Sequence, residues 1–181
     1  MKLNKPWPLL PLYKDNLTLS PATENDMSLV FLMGQDAWGA EYQTEEYLDI
    51  CHSSEKYRSG NWFILKNSKG TPVSSVISYA IPGPDNHSWI GIGSLATEVS
   101  SRNKGYGLSC LSMLIEGYEK QQTINGFILF KDVQTNIYSS AGFMPAESMG
   151  YKGLHPNLLL RTDEKNNPET GYFLKTSMRY F

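Results

Sequence analysis

The segment best suited to chemistry runs from Leu95 to Leu108 and reads LATEVSSRNKGYGL. It places two glycines and two cations, Arg102 and Lys104, directly before residues with helical periodicity. The first N–H groups of a helix have no intrahelical partner and carry the positive end of the helix dipole, so such a start can bind a phosphate. Both cations could add charged hydrogen bonds. The segment is therefore either a pyrophosphate-binding loop or a solvated loop whose glycines permit a turn.

Two other nucleotide-binding motifs receive little support. The P-loop pattern GxxxxGK[ST] needs a Gly-Lys pair, which the sequence lacks. Residues Gly91–Ala96 match the dinucleotide fingerprint GxGxxG/A, but they lie in an apolar run that predicts a strand, whereas the fingerprint occupies a turn between a strand and a helix. A nucleoside triphosphatase and a nicotinamide-dependent enzyme are both disfavoured.

The elements around this segment predict an α+β domain with a mixed sheet. Residues 62–65 and 73–81 are β-rich runs joined by a predicted hairpin turn at 67–70, and a third strand covers 89–97. The following helix has one apolar face, made by Leu108, Leu111, Leu114, Ile115 and Tyr118. A strand at 127–130 and a short helix around 136–141 come next.

The two ends of the chain are less regular. A short strand at 17–19 precedes a helix entry at Ser20–Glu24 and a helix through 27–32, and a second helix from Thr44 through Cys51 ends before the polar segment 52–60. Residues 172–174 and 178–181 are predicted as the last strands, beyond a polar insert at 161–171. No linker or repeat divides the chain, so one domain is predicted over 1–181, with an N-terminal arm at 1–15.

Two ordered motifs resemble the GNAT family of N-acetyltransferases. The family has an apolar-small-apolar strand, a short polar stretch and then [RQ]xxGx[GA] at a helix start, and LATEVSSRNKGYG has this spacing. Its next strand and short helix end in a Tyr, a few residues and then Gly-Phe, as does FILFKDVQTNIYSSAGF at 127–143. The short second motif is most similar to the branch that includes fungal lysine acetyltransferases. The resemblance covers 17–143 and fades at 144–181.

The resemblance implies a mixed, mostly antiparallel sheet in which a parallel strand pair splays apart and holds acetyl-CoA. The backbone of Leu95 and Thr97 would hold the thioester and pantetheine. The predicted cofactor contacts are Leu95, Ala96, Thr97, Arg102, Asn103, Lys104, Gly105, Tyr106, Gly107 and Leu108. Asn136 is carried over as well, although it lies only two residues before Tyr138, whereas many members have that Asn about two helical turns earlier.

The implied chemistry is direct attack of a neutral amine on the acetyl carbonyl. The backbone N–H of Leu95 would bind the oxyanion, and Tyr138 occupies the family's acid position for the leaving thiolate; without the motif it is simply a packed aromatic residue. Some members carry a carboxylate base near the position of Gly91, which has no side chain. Asp132 and Glu98 are the alternative base candidates, with a water chain or bulk solvent equally open.

The leading hypothesis is an N-acetyltransferase that moves acetyl from acetyl-CoA to a small-molecule amine or amino acid in a ternary complex, without a metal. One alternative is a catalytically weak or inert CoA-binding module with a regulatory role, suggested by Gly91. A second alternative is a protein lysine or N-terminal acetyltransferase. The aromatic residues Trp38, Tyr42 and Tyr47 are either part of the acceptor wall or core packing.

Composition and charge limit the other partners. Sixteen Lys and Arg against eighteen Asp and Glu give a net charge of −2, so no positive field predicts nucleic-acid binding. Cys51 and Cys110 are far apart and suggest neither a disulfide framework nor a zinc site, which favours a reducing cytoplasm. The three histidines lie in unrelated contexts. No apolar run approaches the ~18 residues of a membrane span. A monomer or homodimer without membrane contact is expected.

Overall fold

A computed structural model of the chain describes residues 9–83, 88–121, 124–132, 135–165 and 167–177. The strands are β1 Leu12–Lys14, β2 Leu17–Pro21, β3 Asn61–Lys66, β4 Pro72–Pro82, β5 Ser88–Thr97, β6 Ile124–Phe130, β7 Met144–Pro145 and β8 Leu158–Arg161. The helices are α1 Met27–Leu32, α2 Gln35–Trp38, α3 Thr44–Ser53, α4 Glu55–Arg58, α5 Tyr106–Gln121, α6 Ile137–Ser140 and α7 Pro168–Ser177. The predicted α+β class is confirmed.

One sheet has the strand order β1-β2-β3-β4-β5-β6-β8-β7. Its neighbours are antiparallel except for β5 and β6, which run parallel. The parallel register extends from Ser88 opposite Ile124 to Ile92 opposite Leu129 and stops there. Strand β5 continues through 93–97 along β4 alone, so the two parallel strands separate at this end, as predicted.

Helix α5 closes one face of the sheet because its apolar residues recur at helical spacing. Leu111, Leu114, Ile115 and Tyr118 are buried against residues of β3–β6, and Cys110 is fully buried among them. The phenol of Tyr118 is 2.9 Å from the hydroxyl of Ser78 on β4. This packing fixes the axis of α5 relative to the sheet and hence the position of its first turn at the end of β5.

The short helices cover the opposite face. Val30 and Phe31 of α1 and Tyr47 and Cys51 of α3 pack on Ile64, Ile77 and Tyr79 of the central strands. The entry to α1 is a capping box, in which the backbone N–H and hydroxyl of Thr23 both donate to the carboxylate of Asp26. The predicted entry near residue 23 is therefore correct.

Three predictions of local structure are wrong. The polar segment 52–60 contains the end of α3 and all of α4, whose N-terminus is capped by Ser54. The predicted polar insert 161–171 instead begins with the last residue of β8 and ends inside α7. Residues 172–174 are helical, since Asn167 accepts hydrogen bonds from the backbone N–H groups of Glu169 and Thr170 and Pro168 occupies the first helical position.

The remaining predictions concern the N-terminal arm and the last predicted strand. The arm contributes strand β1, and Leu9 is buried in the main core. Residues 1–8 and the predicted strand at 178–181 lie outside the described residues.

Candidate active site

A cavity of about 770 Å³ opens where β5 and β6 separate. Its walls come from 92–97 of β5, the loop and first turn of α5, the end of β6 and the segment leading into α6. The far wall is formed by α2 and α4. Pockets for small molecules commonly measure about 300–1,000 Å³, so this cavity has the size of a ligand site.

A β-bulge shapes strand β5 beside the cavity. Ser75 pairs with Ala96 and Ile77 with Gly93, so that Ser94 and Leu95 both lie opposite the single residue Val76. Ser94 has a φ of 43° and donates a hydrogen bond to the phenol oxygen of Tyr57 at 3.4 Å. The bulge lies just beyond the point where the pairing of β5 with β6 ends, and both Ser94 and Leu95 line the cavity there.

The loop before α5 presents backbone to the cavity. Asn103 and Gly105 have φ values of 60° and 82°, and the helix begins at Tyr106. A Cβ on Gly107 would lie 3.1 Å from Thr97 Oγ1 and 3.4 Å from Ile137 Cδ1, so the first turn of α5 approaches both β5 and α6 closely. The N–H groups of this turn are therefore available to an anion at the cavity wall.

Arg102 connects this loop to the opposite wall. Its Nε donates to the carbonyl oxygen of Thr97 at 3.0 Å, and its Nη1 and Nη2 donate to the carboxylate of Asp36 on α2 at 2.6 and 2.8 Å. The hydrogen bond from Arg102 holds the pKa of Asp36 below its ordinary value. Asp36 was not among the residues predicted from the sequence, because an ion pair across 66 residues leaves no local signal.

Tyr138 lies in the wall on the α6 side. Its side chain packs against the main core and lines the cavity together with Asp132 and Asn136. Burial raises the pKa of the Tyr138 phenol above its ordinary value of 10.0, and the charge of Asp132 raises this pKa further. The phenol is thus protonated at neutral pH and able to donate a proton.

Helix α4 contributes two cavity residues that were not predicted from the sequence, Lys56 and Tyr57. Burial lowers the pKa of Lys56, and the charge of Asp132 partly offsets this effect. Tyr57 stacks on Phe31 with ring centroids 5.6 Å apart and packs edge-on against Trp62. No sequence signal marked these residues, since α4 is a four-residue helix within a polar stretch.

Most of the predicted site residues are brought together. The cavity is lined by Leu95, Ala96, Thr97, Arg102, Asn103, Gly105, Tyr106, Gly107, Leu108, Asp132, Asn136 and Tyr138. Within the described residues, Glu98 and Lys104 are not part of this lining. The ammonium of Lys104 instead donates to the carbonyl oxygen of Ser100 at 2.8 Å.

Of the three aromatic residues considered for the acceptor wall, one lines the cavity and two pack in the core. Trp38 lines the cavity, where its ring lies over Gly34. Tyr42 and Tyr47 belong to the core beneath α1 and α3.

Other predicted features lie away from this cavity. His52 and His155 are exposed and contact aromatic rings, and His87 lies outside the described residues. Among the described residues, no cluster of three His, Cys, Asp or Glu side chains could hold a metal ion. The described helices are all too short or too polar to cross a membrane.

Comparison with solved structures finds similar folds at low sequence identity. A GNAT-family acetyltransferase from Brucella melitensis in complex with acetyl-CoA is 11% identical, with a TM-score of 0.59 over 87% of this chain and 94% of its own. An Escherichia coli GNAT-family N-acetyltransferase in complex with CoA is 13% identical, with a TM-score of 0.56 over 85% of this chain and 82% of its own.

A Pyrococcus horikoshii protein described as an acetyltransferase is 18% identical, with a TM-score of 0.57 over 74% of this chain, which spans only 45% of that protein. Comparisons with protein-family models and with curated proteins gave no match. The separating parallel strands, the bulge in β5 and the loop before α5 therefore belong to a chain with the fold of the GNAT acetyltransferases.

Proposed function

We propose that this chain is an N-acetyltransferase that transfers acetyl from acetyl-CoA to a primary amine. The observation that carries the proposal is the cavity at the separation of β5 and β6, with the first turn of α5 in its wall. Among the described residues, no strand pairs with β5 on this side beyond Ile92, so an extended pantetheine arm can hydrogen-bond to its backbone as a short extra strand. The similar structures solved with acetyl-CoA or CoA support the same assignment.

The pyrophosphate belongs at the loop before α5. The backbone of Asn103, Gly105 and Gly107 lines the cavity there, and Arg102 supplies the positive charge. Lys104 adds charge from the outer side of the loop. Asn136, exposed at the cavity edge, is the remaining proposed contact.

The chemistry is assigned to other groups of the cavity wall. The backbone N–H of Leu95 stabilises negative charge on the carbonyl oxygen during amine attack. Tyr138, with its raised pKa, donates a proton to the departing thiolate. Direct transfer needs no covalent enzyme intermediate, because both substrates are held side by side.

A small amine or amino acid is the proposed acceptor. The acceptor end of the cavity is bounded by α2 and α4, and α2 is tied to the loop before α5 by the Asp36–Arg102 pair. This arrangement encloses a compact acceptor more readily than an extended polypeptide. A protein lysine or N-terminus is the alternative, and the resemblance to fungal lysine acetyltransferases stays a prediction.

The test is isothermal titration of the protein with acetyl-CoA and CoA, followed by measurement of CoA release with a panel of tyramine, tyrosine, spermidine, glycine, lysine and a short peptide with a free N-terminus. Saturable binding and CoA release with at least one amine are expected. Absence of binding would refute the proposal. Binding without turnover on any amine would favour the inert CoA-binding module that the side-chain-free Gly91 suggests.

A further inference from the structure

Lys56 differs from the other lysines in the described part of the chain because it lies in the cavity wall. It is half-buried on α4, between the core aromatic residue Tyr57 and the exposed Glu55. Lysine ammonium groups normally remain in water, since burial of the charge costs free energy. A half-buried lysine at a cavity therefore calls for a role that uses its amine.

The charged groups that act on Lys56, share its cavity wall or lie on its own helix come from three elements. Asp132, between β6 and α6, acts electrostatically on Lys56, Tyr57 and Tyr138 alike. On the α2 side, Asp36 is hydrogen-bonded to Arg102.

On α4 itself, Glu55 and Arg58 are exposed. The guanidinium of Arg58 donates to the carbonyl oxygen of His52. Asp132 is thus the charge that links Lys56 to the proposed acid Tyr138.

The proposed reaction requires a group that removes a proton from the attacking amine. Strand β5 has no side chain for this purpose at Gly91, and Glu98 does not line the cavity in the described part of the chain. Asp132 lines the cavity but is exposed to solvent. We infer that Lys56 is the general base that accepts this proton, an inference that rests on the proposed acetyl transfer.

The physical basis is the environment of the amine. Burial lowers the pKa of Lys56, and this effect outweighs the opposing charge of Asp132. The pKa is therefore lowered overall, which favours the neutral, proton-accepting amine. Lysine is one of the side chains that serve as general bases when their environment lowers the pKa.

The proton balance closes within the cavity. The amine nitrogen forms a bond to the acetyl carbon, and its proton passes to Nζ of neutral Lys56. The bond between carbon and sulfur breaks, and the sulfur takes the proton of Tyr138. The Lys56 ammonium then returns a proton to the Tyr138 phenolate, directly or through solvent, so both groups regain their starting forms and no further reactant is consumed.

The experiment compares Lys56→Met and Lys56→Arg with the wild-type protein, using the amine of the panel above that reacts fastest. Both variants should lower kcat by ~10²-fold or more while the Kd for CoA stays within about twofold. Methionine has no amine to accept the proton, and arginine keeps the charge but does not deprotonate. Lys69→Met, an exposed lysine in the turn between β3 and β4, is the matched control and should keep wild-type kcat.

Two results would overturn the inference. If Lys56→Arg keeps most of the activity, Lys56 acts as a fixed charge and not as a base. In that case, a wild-type preference for tyrosine over tyramine that is lost in Lys56→Met would show that this charge binds the carboxylate of the acceptor. A kcat that is unchanged in Lys56→Met would remove Lys56 from the reaction.

An NMR titration of the Lys56 side chain separates this inference from the proposed function. With the resonance assigned by its loss in Lys56→Met, we expect deprotonation below the ordinary value of 10.5. A wild-type protein without turnover on the whole panel would refute the proposed acetyl transfer. A Lys56 ammonium that persists to pH 10.5 or above would refute the base, whatever the panel shows.

Discussion

The guanidinium of Arg102 donates two hydrogen bonds to the carboxylate of Asp36, at 2.6 and 2.8 Å, and so joins the loop before α5 to helix α2. Its Nε donates to the carbonyl oxygen of Thr97, which leaves two of the five guanidinium N–H groups outside these bonds. A pyrophosphate at this loop would meet a cation that already has an anionic partner. Asp36 would therefore compete with the cosubstrate for Arg102.

This competition predicts opposite effects for two variants. Arg102→Ala should weaken CoA binding by about tenfold or more and raise the acetyl-CoA KM, because a charged hydrogen bond contributes about 1.5–3 kcal/mol. The kcat should change less, since Arg102 is assigned to cosubstrate binding and not to the chemical step. Asp36→Asn should instead tighten CoA binding by a few-fold, because it frees the guanidinium. Titration calorimetry with CoA measures both.

Asp49→Asn on the exposed face of α3 is the control for removal of a negative charge, and it should leave the Kd for CoA unchanged. If Asp36→Asn weakened binding as strongly as Arg102→Ala, the ion pair would be a structural unit that shapes the loop, and the competition would be ruled out. The pair is substantially exposed, so its loss should cost less than about 1 kcal/mol of stability.

Tyr138→Phe tests the proposed acid. The variant should lower kcat by ~10²-fold or more and leave the Kd for acetyl-CoA nearly unchanged, because the hydroxyl serves the leaving thiolate and the ring retains its packing. Pre-steady-state measurement of CoA release isolates the chemical step. Tyr172→Phe, on an exposed position of α7, should behave as wild type.

An unaltered chemical rate in Tyr138→Phe would assign Tyr138 to packing alone. The raised pKa of Tyr138 adds a second check with a defined sign. A group with a raised pKa keeps its proton to higher pH, so loss of activity through Tyr138 ionisation should begin only in alkaline solution.

Local patterns in the sequence were sufficient to predict the loop and helix start that line the cavity. The glycines and Arg102 precede a helix whose apolar residues recur at a fixed spacing, and this combination places a helix start at the end of a strand. The wall formed by α2 and α4 depends on contacts between distant segments. Asp36 and Lys56 reach the cavity on helices of four residues, too short for periodicity to reveal.

The C-terminal region shows how local signals compete. The apolar run Tyr172–Leu174 suggested a strand, but the cap by Asn167 and the proline at 168 start a helix that buries Phe173 and Leu174 while Tyr172 remains exposed. The apolar residues Leu158–Leu160 form β8 because β6 offers them an open edge. That edge is a property of the tertiary fold, and no pattern within 158–161 specified it.

Gly107 is predicted to be intolerant of a side chain. Its Cβ would lie 3.1 Å from Thr97 Oγ1 and 3.4 Å from Ile137, so Gly107→Val would force the first turn of α5 away from the end of β5. The Kd for CoA should rise by at least tenfold, because the N–H groups at this turn would move from the proposed pyrophosphate position. Thermal unfolding distinguishes a local shift from loss of the fold.

Gly171→Ala, within α7, is the matched control. The new Cβ would make an ordinary contact of 3.5 Å with the ring of Tyr151. It should leave CoA binding unchanged and increase stability slightly through the helix propensity of alanine. Gly107→Val with wild-type affinity for CoA would place the pyrophosphate away from this turn.

Asp132→Asn separates two roles for the carboxylate through the pH dependence of kcat. The charge of Asp132 raises the pKa of both Lys56 and Tyr138, so its removal should lower both. Activity that requires neutral Lys56 would then appear at lower pH, and activity that requires protonated Tyr138 would also be lost at lower pH. We therefore expect the whole bell-shaped profile to move toward acid, with its maximum kept within about threefold. If Asp132 were itself the base, kcat would instead fall ~10²-fold or more at every pH, and the profile of Asp132→Asn would decide between the carboxylate and Lys56.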